Sequence, residues 1–127
     1  MQLAFERSII RCTNLSQERQ EMEHVIQRLR QFRDERNWQQ FHNPKDLAVA
    51  LSIEASELLE VFLWKAPDAA DPEKVKEELA DVLAYALLLS DAYKFDIEKI
   101  ILEKIERNEE KYPVHKAKGT AKKYNEL

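Results

Sequence analysis

Two pairs of carboxylates lie inside apolar stretches of this chain, and each pair has the spacing of one helix face. Glu54 and Glu57 form the first pair, and Glu78 and Asp81 form the second. A separation of three residues makes the two acids of a pair neighbours on a helix. Leucines repeat at helical spacing around Glu54, so this acid occupies a stripe that otherwise faces a core. An isolated buried carboxylate is costly, and these acids therefore need a compensating partner.

A divalent metal ion is the simplest such partner. Side chains on two facing helices of a bundle can combine into one metal site. Carboxylate oxygens are ligands for Mg²⁺ or Mn²⁺ rather than for Zn²⁺. The sequence therefore predicts a Mg²⁺ site, with Mn²⁺ as a substitute, formed by three or four of these acids on two helices.

The composition favours helices. One glycine and four prolines in 127 residues are too few turn formers for an all-β protein. Asn43, Asp71 and Asp96 each have the features of a helix start. We predict four helices: about Ser16 to Asn37, Asn43 to near Lys65, Asp71 to about Lys94, and Asp96 to Pro113. The expected fold is a single all-α domain over 1–127, a four-helix-bundle-like protomer with an extension at 1–20 and a basic tail at 113–127.

Charge and apolar patterning exclude several classes of function. The formal net charge is −4, from 20 basic and 24 acidic residues, which disfavours nucleic-acid binding through bulk charge. The longest uncharged apolar run, Val82 to Leu89, is too short to span a bilayer. Glu6 and Arg7 interrupt the early apolar stretch, so no signal peptide is indicated. The lone Cys12 fits a reducing compartment, and we expect a cytoplasmic protein with neither membrane nor nucleic-acid partner.

Two other features each allow two interpretations. Trp38 precedes the second predicted helix and is either a core residue or a platform on which a nucleobase stacks. The lysine-rich tail is either a solvated segment or a lid that closes over phosphates, with Lys111 at its hinge.

The two acid pairs and their separation resemble the signature of the all-α nucleoside triphosphate pyrophosphohydrolases, the MazG-like superfamily. Other segments resemble the dCTP pyrophosphatase branch of that superfamily, and the resemblance covers about Met22 to Leu127. These segments are Glu35-Arg36-Asn37-Trp38, Phe41-His42, Phe62-Leu63-Trp64-Lys65, Asp81-Val82-Leu83-Ala84-Tyr85, Lys111-Tyr112-Pro113 and Lys123-Tyr124-Asn125-Glu126-Leu127. Ser56 stands where members of the branch often have glycine, which leaves the local fit around the base in question.

The resemblance implies a reaction in which a nucleoside triphosphate and water give the monophosphate and pyrophosphate. It implies dCTP or a related pyrimidine deoxynucleotide as substrate, a role in cleansing the nucleotide pool, and a homodimer or homotetramer. The implied metal ligands are Glu54, Glu57, Glu78 and Asp81, with Glu57 as the general base.

The resemblance also implies two sets of substrate contacts. Trp38, Trp64 and Tyr85 would shape the pocket for base and sugar, and Asn108, Lys111 and Tyr112 would reach the phosphates. Stacking alone tolerates any base, so a preference for cytosine needs a polar side chain at its edge. His42 and Asn43 are the candidates for that contact.

Two alternatives compete with this interpretation. The acids could instead pair with basic residues of another protein, in a helical interaction module without enzymatic activity. A di-iron carboxylate bundle would need Glu-x-x-His on two helices. The chain has one such motif, at Glu21 and His24, away from both acid pairs.

Overall fold

The computed structural model of the protein describes residues 20–127, whose regular elements are helices, with no strand among them. The predicted all-α class is therefore confirmed. The chain divides into two compact units, the first ending at Tyr93 and the second formed by Lys94–Leu127. The predicted extension at 1–20, apart from its last residue, lies outside the described residues, as does the predicted helix start at Ser16.

The first helix, α1, covers 20–35 of the described residues, and Ile26 is its buried apolar side chain. The chain leaves this helix through Asn37, whose φ of 55° is a left-handed conformation that asparagine tolerates better than most residues. Trp38–Phe41 then forms one turn of 3₁₀-helix. The predicted end at Asn37 is thus close to the observed one, and the predicted connector contains a helical turn of its own.

Helix α2 spans Pro44–Phe62 and begins as the sequence predicts. The Asn43 side chain accepts a hydrogen bond from the backbone N–H of Asp46 at 3.0 Å, which satisfies one of the free donors of the first turn. Leu47, only 2% exposed, is buried on the inner face of this helix. At the other end the Lys65 ammonium donates to the Val61 carbonyl at 2.8 Å, which satisfies an acceptor of the last turn.

Helix α3 spans Pro72–Ala92 and packs along α2. Asp71 caps it by accepting a hydrogen bond from the Glu73 backbone N–H at 3.0 Å. Near its other end, Asp91 accepts two hydrogen bonds from the guanidinium of Arg30 on α1, one of them from Nε at 2.9 Å. A two-point contact of this kind fixes orientation as well as distance, so it holds α1 against α3.

The second unit contains α4, Ile97–Lys111, and the short α5, Val114–Ala117. Asp96 caps α4 as predicted, because its side chain accepts a hydrogen bond from the Lys99 backbone N–H at 3.0 Å. Pro113 separates the two helices, in agreement with the predicted end of the fourth helix at this residue. The sequence pattern did not predict α5.

Few apolar side chains are buried in the described part of the protein. They are Ile26, Leu47, Val61 and Leu88, and all four belong to the first unit. None of the helices formed by the described residues has both the length and the apolar character needed to cross a membrane.

Candidate functional site

Packing of α2 against α3 gathers three of the four predicted acids into one cluster. Glu54 on α2 and both acids of α3, Glu78 and Asp81, each place a carboxylate oxygen within 4.8 Å of the other two. Glu54 and Glu78 are half-buried, and Asp81 is exposed. The helical spacing within α3 and the contact between the two helices together create this cluster.

The surroundings of Glu54 make ionisation of its carboxyl group less favourable. The pKa of Glu54 is raised, first because burial disfavours the charged carboxylate and then because Glu57, Asp81 and Glu78 repel it. Among residues 20–127, no lysine or arginine forms an ion pair with any acid of the cluster. The carboxylates therefore lie close together without a cation from the described chain between them.

Glu57, the fourth predicted ligand and the predicted general base, is not part of the three-acid cluster. Its side chain is exposed on α2, one turn beyond Glu54. It is still close enough to Glu54 to raise the pKa of that group. Its predicted roles stay predictions.

Glu21 and His24, the one Glu-x-x-His motif of the sequence, are exposed on α1. Neither belongs to the acid cluster that the described residues form.

A row of four rings leads from α1 to the acid cluster. Phe32 and Trp38 meet edge to face, with centroids 5.8 Å apart. Trp38 lies 6.5 Å from His42, which in turn lies 6.1 Å from Tyr85 on α3. Burial raises the pKa of the Tyr85 hydroxyl, and the charges of Glu54 and Asp81 raise it further. Three of the predicted substrate contacts, Trp38, His42 and Tyr85, are thus brought to one side of the acids.

His42 is the polar member of this row. Its Nδ1 is buried and has no hydrogen-bond partner within the described chain. Burial lowers the pKa of the imidazole, and the positive charge of Arg33 lowers it further. The ring is therefore favoured in its neutral form, which offers one donor and one acceptor.

Trp64, another predicted pocket residue, is not part of the ring row. Its side chain is 94% exposed, and its φ of 59° places a bulky residue in the left-handed region. Such a conformation is uncommon outside glycine and asparagine. The Trp64 indole is therefore almost fully exposed, directly after the end of α2.

The predicted phosphate contacts Asn108, Lys111 and Tyr112 lie at the end of α4, in the second unit. The Asn108 carbonyl accepts a hydrogen bond from the Tyr112 backbone N–H at 2.8 Å. The Lys111 ammonium lies over the ring of Tyr124, 5.2 Å from its centroid. Their assignment to the substrate phosphates stays a prediction.

Three features of these two units were not predicted from the sequence. Phe32 was not singled out in the sequence, and its ring begins the aromatic row and carries the Arg36 guanidinium 3.7 Å above it. The Arg30–Asp91 contact joins residues 61 positions apart, and no local pattern indicates such a pairing. Tyr124 was recognised only as part of a resembling segment, although a tyrosine near a lysine cluster is a signal for a cation–π contact.

These features define an all-α protein whose carboxylate cluster, built across two packed helices, is of the kind that could hold a divalent metal ion. The MazG-like family matches residues 49–127. The chain therefore belongs to the MazG-like family, which confirms the resemblance inferred from the acid pairs.

Individual relatives agree with this assignment. The chain is 40% identical to rat dCTP pyrophosphatase 1 and 38% identical to the human protein of that name. Each match covers 76% of this chain and 62% of the relative, so the chain spans less than two thirds of these curated proteins. A crystal structure of a pyrophosphatase from Archaeoglobus fulgidus superposes with a TM-score of 0.69 at 42% identity, covering 73% of this chain and 93% of that one.

Proposed function

We propose that this protein is a metal-dependent nucleoside triphosphate pyrophosphohydrolase. It would convert a nucleoside triphosphate and water into the monophosphate and pyrophosphate. The observation that carries the proposal is the cluster of Glu54, Glu78 and Asp81, in a family member whose relatives are named dCTP pyrophosphatases. Three carboxylates that come together between two helices could hold a divalent cation. Such a cation suits a reaction whose substrate and leaving group are both polyanions.

The cluster fits Mg²⁺ or Mn²⁺ on the chemistry of its donors. All its ligand atoms are carboxylate oxygens, close enough to share one ion. The raised pKa of Glu54 indicates that these charges need neutralisation. We assign Glu54, Glu78 and Asp81 as ligands and Glu57 as a fourth. A bound ion of this kind neutralises phosphate charge and acidifies a bound water.

The hydrolysis needs a general base, and we assign this role to Glu57. The oxygen of water attacks the α-phosphorus, and the bond from that phosphorus to the bridging oxygen of pyrophosphate breaks. The proton lost by the water is accepted by the Glu57 carboxylate. Glu57 suits this role because it is exposed beside Glu54 and outside the three-acid cluster. As a fourth ligand through one carboxylate oxygen, it would keep the other oxygen to accept the proton.

The ring row is our candidate for the base and sugar site. Trp38 is 42% exposed, so part of the indole is free to stack on a base. Tyr85 is the member of this ring row beside the acids, where the sugar of a bound nucleotide would lie. Neutral His42 is our candidate for reading the edge of a base. Asn43 is the second candidate, and its amide is hydrogen-bonded to Asp46 in this structure. We assign dCTP or a related pyrimidine deoxynucleotide as substrate, on the names of the relatives.

Further assignments complete the proposal. Trp64 would add to the base pocket, and Asn108, Lys111 and Tyr112 would contact the phosphates. We propose that 1–127 acts as one catalytic domain with a four-helix-bundle-like protomer. Two or four protomers would assemble, and the enzyme would cleanse the nucleotide pool of the cytoplasm.

The test is a nucleotide panel. Purified protein with millimolar Mg²⁺ is given each common ribo- and deoxynucleoside triphosphate, and pyrophosphate and orthophosphate are measured separately. We expect equal amounts of pyrophosphate and monophosphate, with the fastest release from dCTP or a modified form of it. EDTA should abolish the release of pyrophosphate. Release of orthophosphate would indicate attack at the γ-phosphorus. Absence of any hydrolysis would favour the helical interaction module instead.

A further inference from the structure

Lys111, Tyr112 and Tyr124 form a small cluster in the second unit, built from the end of α4 and the tail. The Lys111 ammonium lies over the face of Tyr124, 5.2 Å from the ring centroid. The rings of Tyr112 and Tyr124 meet edge to face, with centroids 6.2 Å apart and an interplanar angle of 85°. One tyrosine of the tail therefore contacts both residues at the end of α4.

Local hydrogen bonds fix the turn that carries Tyr124. The Glu126 backbone N–H donates to the Lys123 carbonyl at 2.9 Å, and the Glu126 side chain accepts from the Lys123 backbone N–H at 3.3 Å. This reciprocal pair encloses Tyr124–Glu126, a single turn of 3₁₀-helix. The position of the Tyr124 ring is thus determined by its own turn and by the edge of Tyr112.

We propose that Tyr124 is a positioning residue, which holds the Lys111 ammonium ready for the phosphate groups of the substrate. The inference rests on the proposed function, in which Lys111 contacts those phosphates. A mobile lysine side chain loses rotamer freedom when it binds a ligand. If the side chain is already held in place in the free protein, this entropic cost of binding is smaller.

An aromatic partner suits this purpose better than an acidic one. A carboxylate would neutralise the ammonium and compete with the incoming phosphate, whereas a ring face attracts the cation and leaves its charge in place. Within 20–127, no carboxylate forms an ion pair with Lys111. The cation is therefore restrained and still available to an anion.

The experiment compares Tyr124→Ala with Tyr124→Phe, each in the parent and in a Lys111→Met background. KM and kcat for dCTP are measured with saturating Mg²⁺, and circular dichroism checks the helix content. We expect Tyr124→Ala to raise KM about two- to fivefold, the range of an exposed cation–π contact, with little change in kcat. Tyr124→Phe keeps the ring and should keep the low KM.

The Lys111→Met background separates positioning from general structure. If Tyr124 acts through Lys111, Tyr124→Ala adds no further rise in KM once the ammonium is gone. An equal rise in both backgrounds, or an unchanged KM in the parent background, would overturn the inference while the pyrophosphatase activity stands. A parent protein that releases no pyrophosphate from any nucleotide would overturn the proposed function, and this inference with it.

Discussion

Glu54 is the member of the acid cluster whose pKa is raised where α2 meets α3. It is half-buried, with carboxylate oxygens of Glu78 and Asp81 within 4.8 Å of its own. Burial and three like charges raise its pKa, and no basic residue of 20–127 pairs with it. Such an arrangement is unfavourable in the absence of a cation, which makes a structural role for these acids a poor explanation of their position.

Replacement of one carboxylate by its amide tests this assignment directly. We expect Glu54→Gln and Asp81→Asn each to reduce pyrophosphate release to below about 1% of the parent, since a metal contributes several kcal/mol to such a step. Glu77→Gln is the matched control, because Glu77 is exposed on α3 and outside the cluster. Circular dichroism and a release assay with Mg²⁺ are the measurements. Parent-like release by a folded Glu54→Gln protein would contradict the assignment.

Trp38 either stacks on a substrate base or packs inside the protein, and the two roles predict different effects of its removal. If it stacks on a base, Trp38→Ala should weaken nucleotide affinity by about 1–3 kcal/mol and raise KM more than it lowers kcat. Phe41→Ala is the control, since Phe41 is an exposed ring on the same 3₁₀ turn but outside the ring row. A Trp38→Ala protein that melts at lower temperature yet keeps its KM for dCTP would show that the indole only packs against its neighbours Phe32 and His42.

At the level of helices, the features that sequence predicts well are local ones. Asn43, Asp71 and Asp96 each cap the helix that follows, because a cap depends on a side chain and a backbone N–H only two or three residues away. The C-terminal ends of α2 and α3, at Phe62 and Ala92, were also predicted to within a few residues. The four-residue α5 was missed, since so short a segment shows no helical period.

Contacts between helices were much harder to predict. The acid spacing correctly indicated that α2 and α3 share a cluster, but it could not show that Glu57 lies outside the three acids that meet. The row from Phe32 to Tyr85 crosses three elements, and its order depends on how α1 and α3 approach each other. Spacing along one helix carries no information on that approach.

The packing of α2 on α3 should depend on metal and on pH. The folded pKa of Glu54 lies above its ordinary value of 4.5, so the folded protein binds more protons than the unfolded chain between the two values. This group therefore contributes most to stability below about pH 4.5, and the contribution is lost as the pH rises through the folded pKa. Without metal, Glu54→Gln should be at least as stable as the parent at neutral pH.

Thermal unfolding from about pH 4 to pH 7, in EDTA and in Mg²⁺, measures both effects. In EDTA, the Tm of Glu54→Gln minus that of the parent should grow with pH. Mg²⁺ should raise the Tm of the parent by mass action and raise that of the variant less. A difference that shrinks with pH, or equal Mg²⁺ shifts in both proteins, would contradict a shared carboxylate site.

At the level of the whole molecule, the described chain buries little apolar surface. Four of its apolar side chains are buried, whereas several large ones on α2 and α3 stay exposed. Exposed apolar side chains that lie together on helix faces indicate a protein–protein interface. An open depression of about 640 Å³ continues this surface between the end of α2 and the start of α3, and Phe62, Val75 and Leu79 are among its lining residues. The predicted assembly of two or four protomers would cover such a surface.

A charge placed on that surface should separate the protomers. Leu59 on α2 is 65% exposed and Leu83 on α3 is 53% exposed, so arginine at either position has room in a single protomer. In an assembly that buries these faces, Leu59→Arg and Leu83→Arg would each place an unpaired charge in an apolar contact, which costs several kcal/mol. We therefore expect both variants to sediment as smaller species than the parent in analytical ultracentrifugation.

Val114→Arg, at a 75% exposed position outside both helices, is the control and should sediment like the parent. If the parent is itself a monomer at micromolar concentration, or if both leucine variants keep its sedimentation coefficient, the faces of α2 and α3 are not where protomers meet.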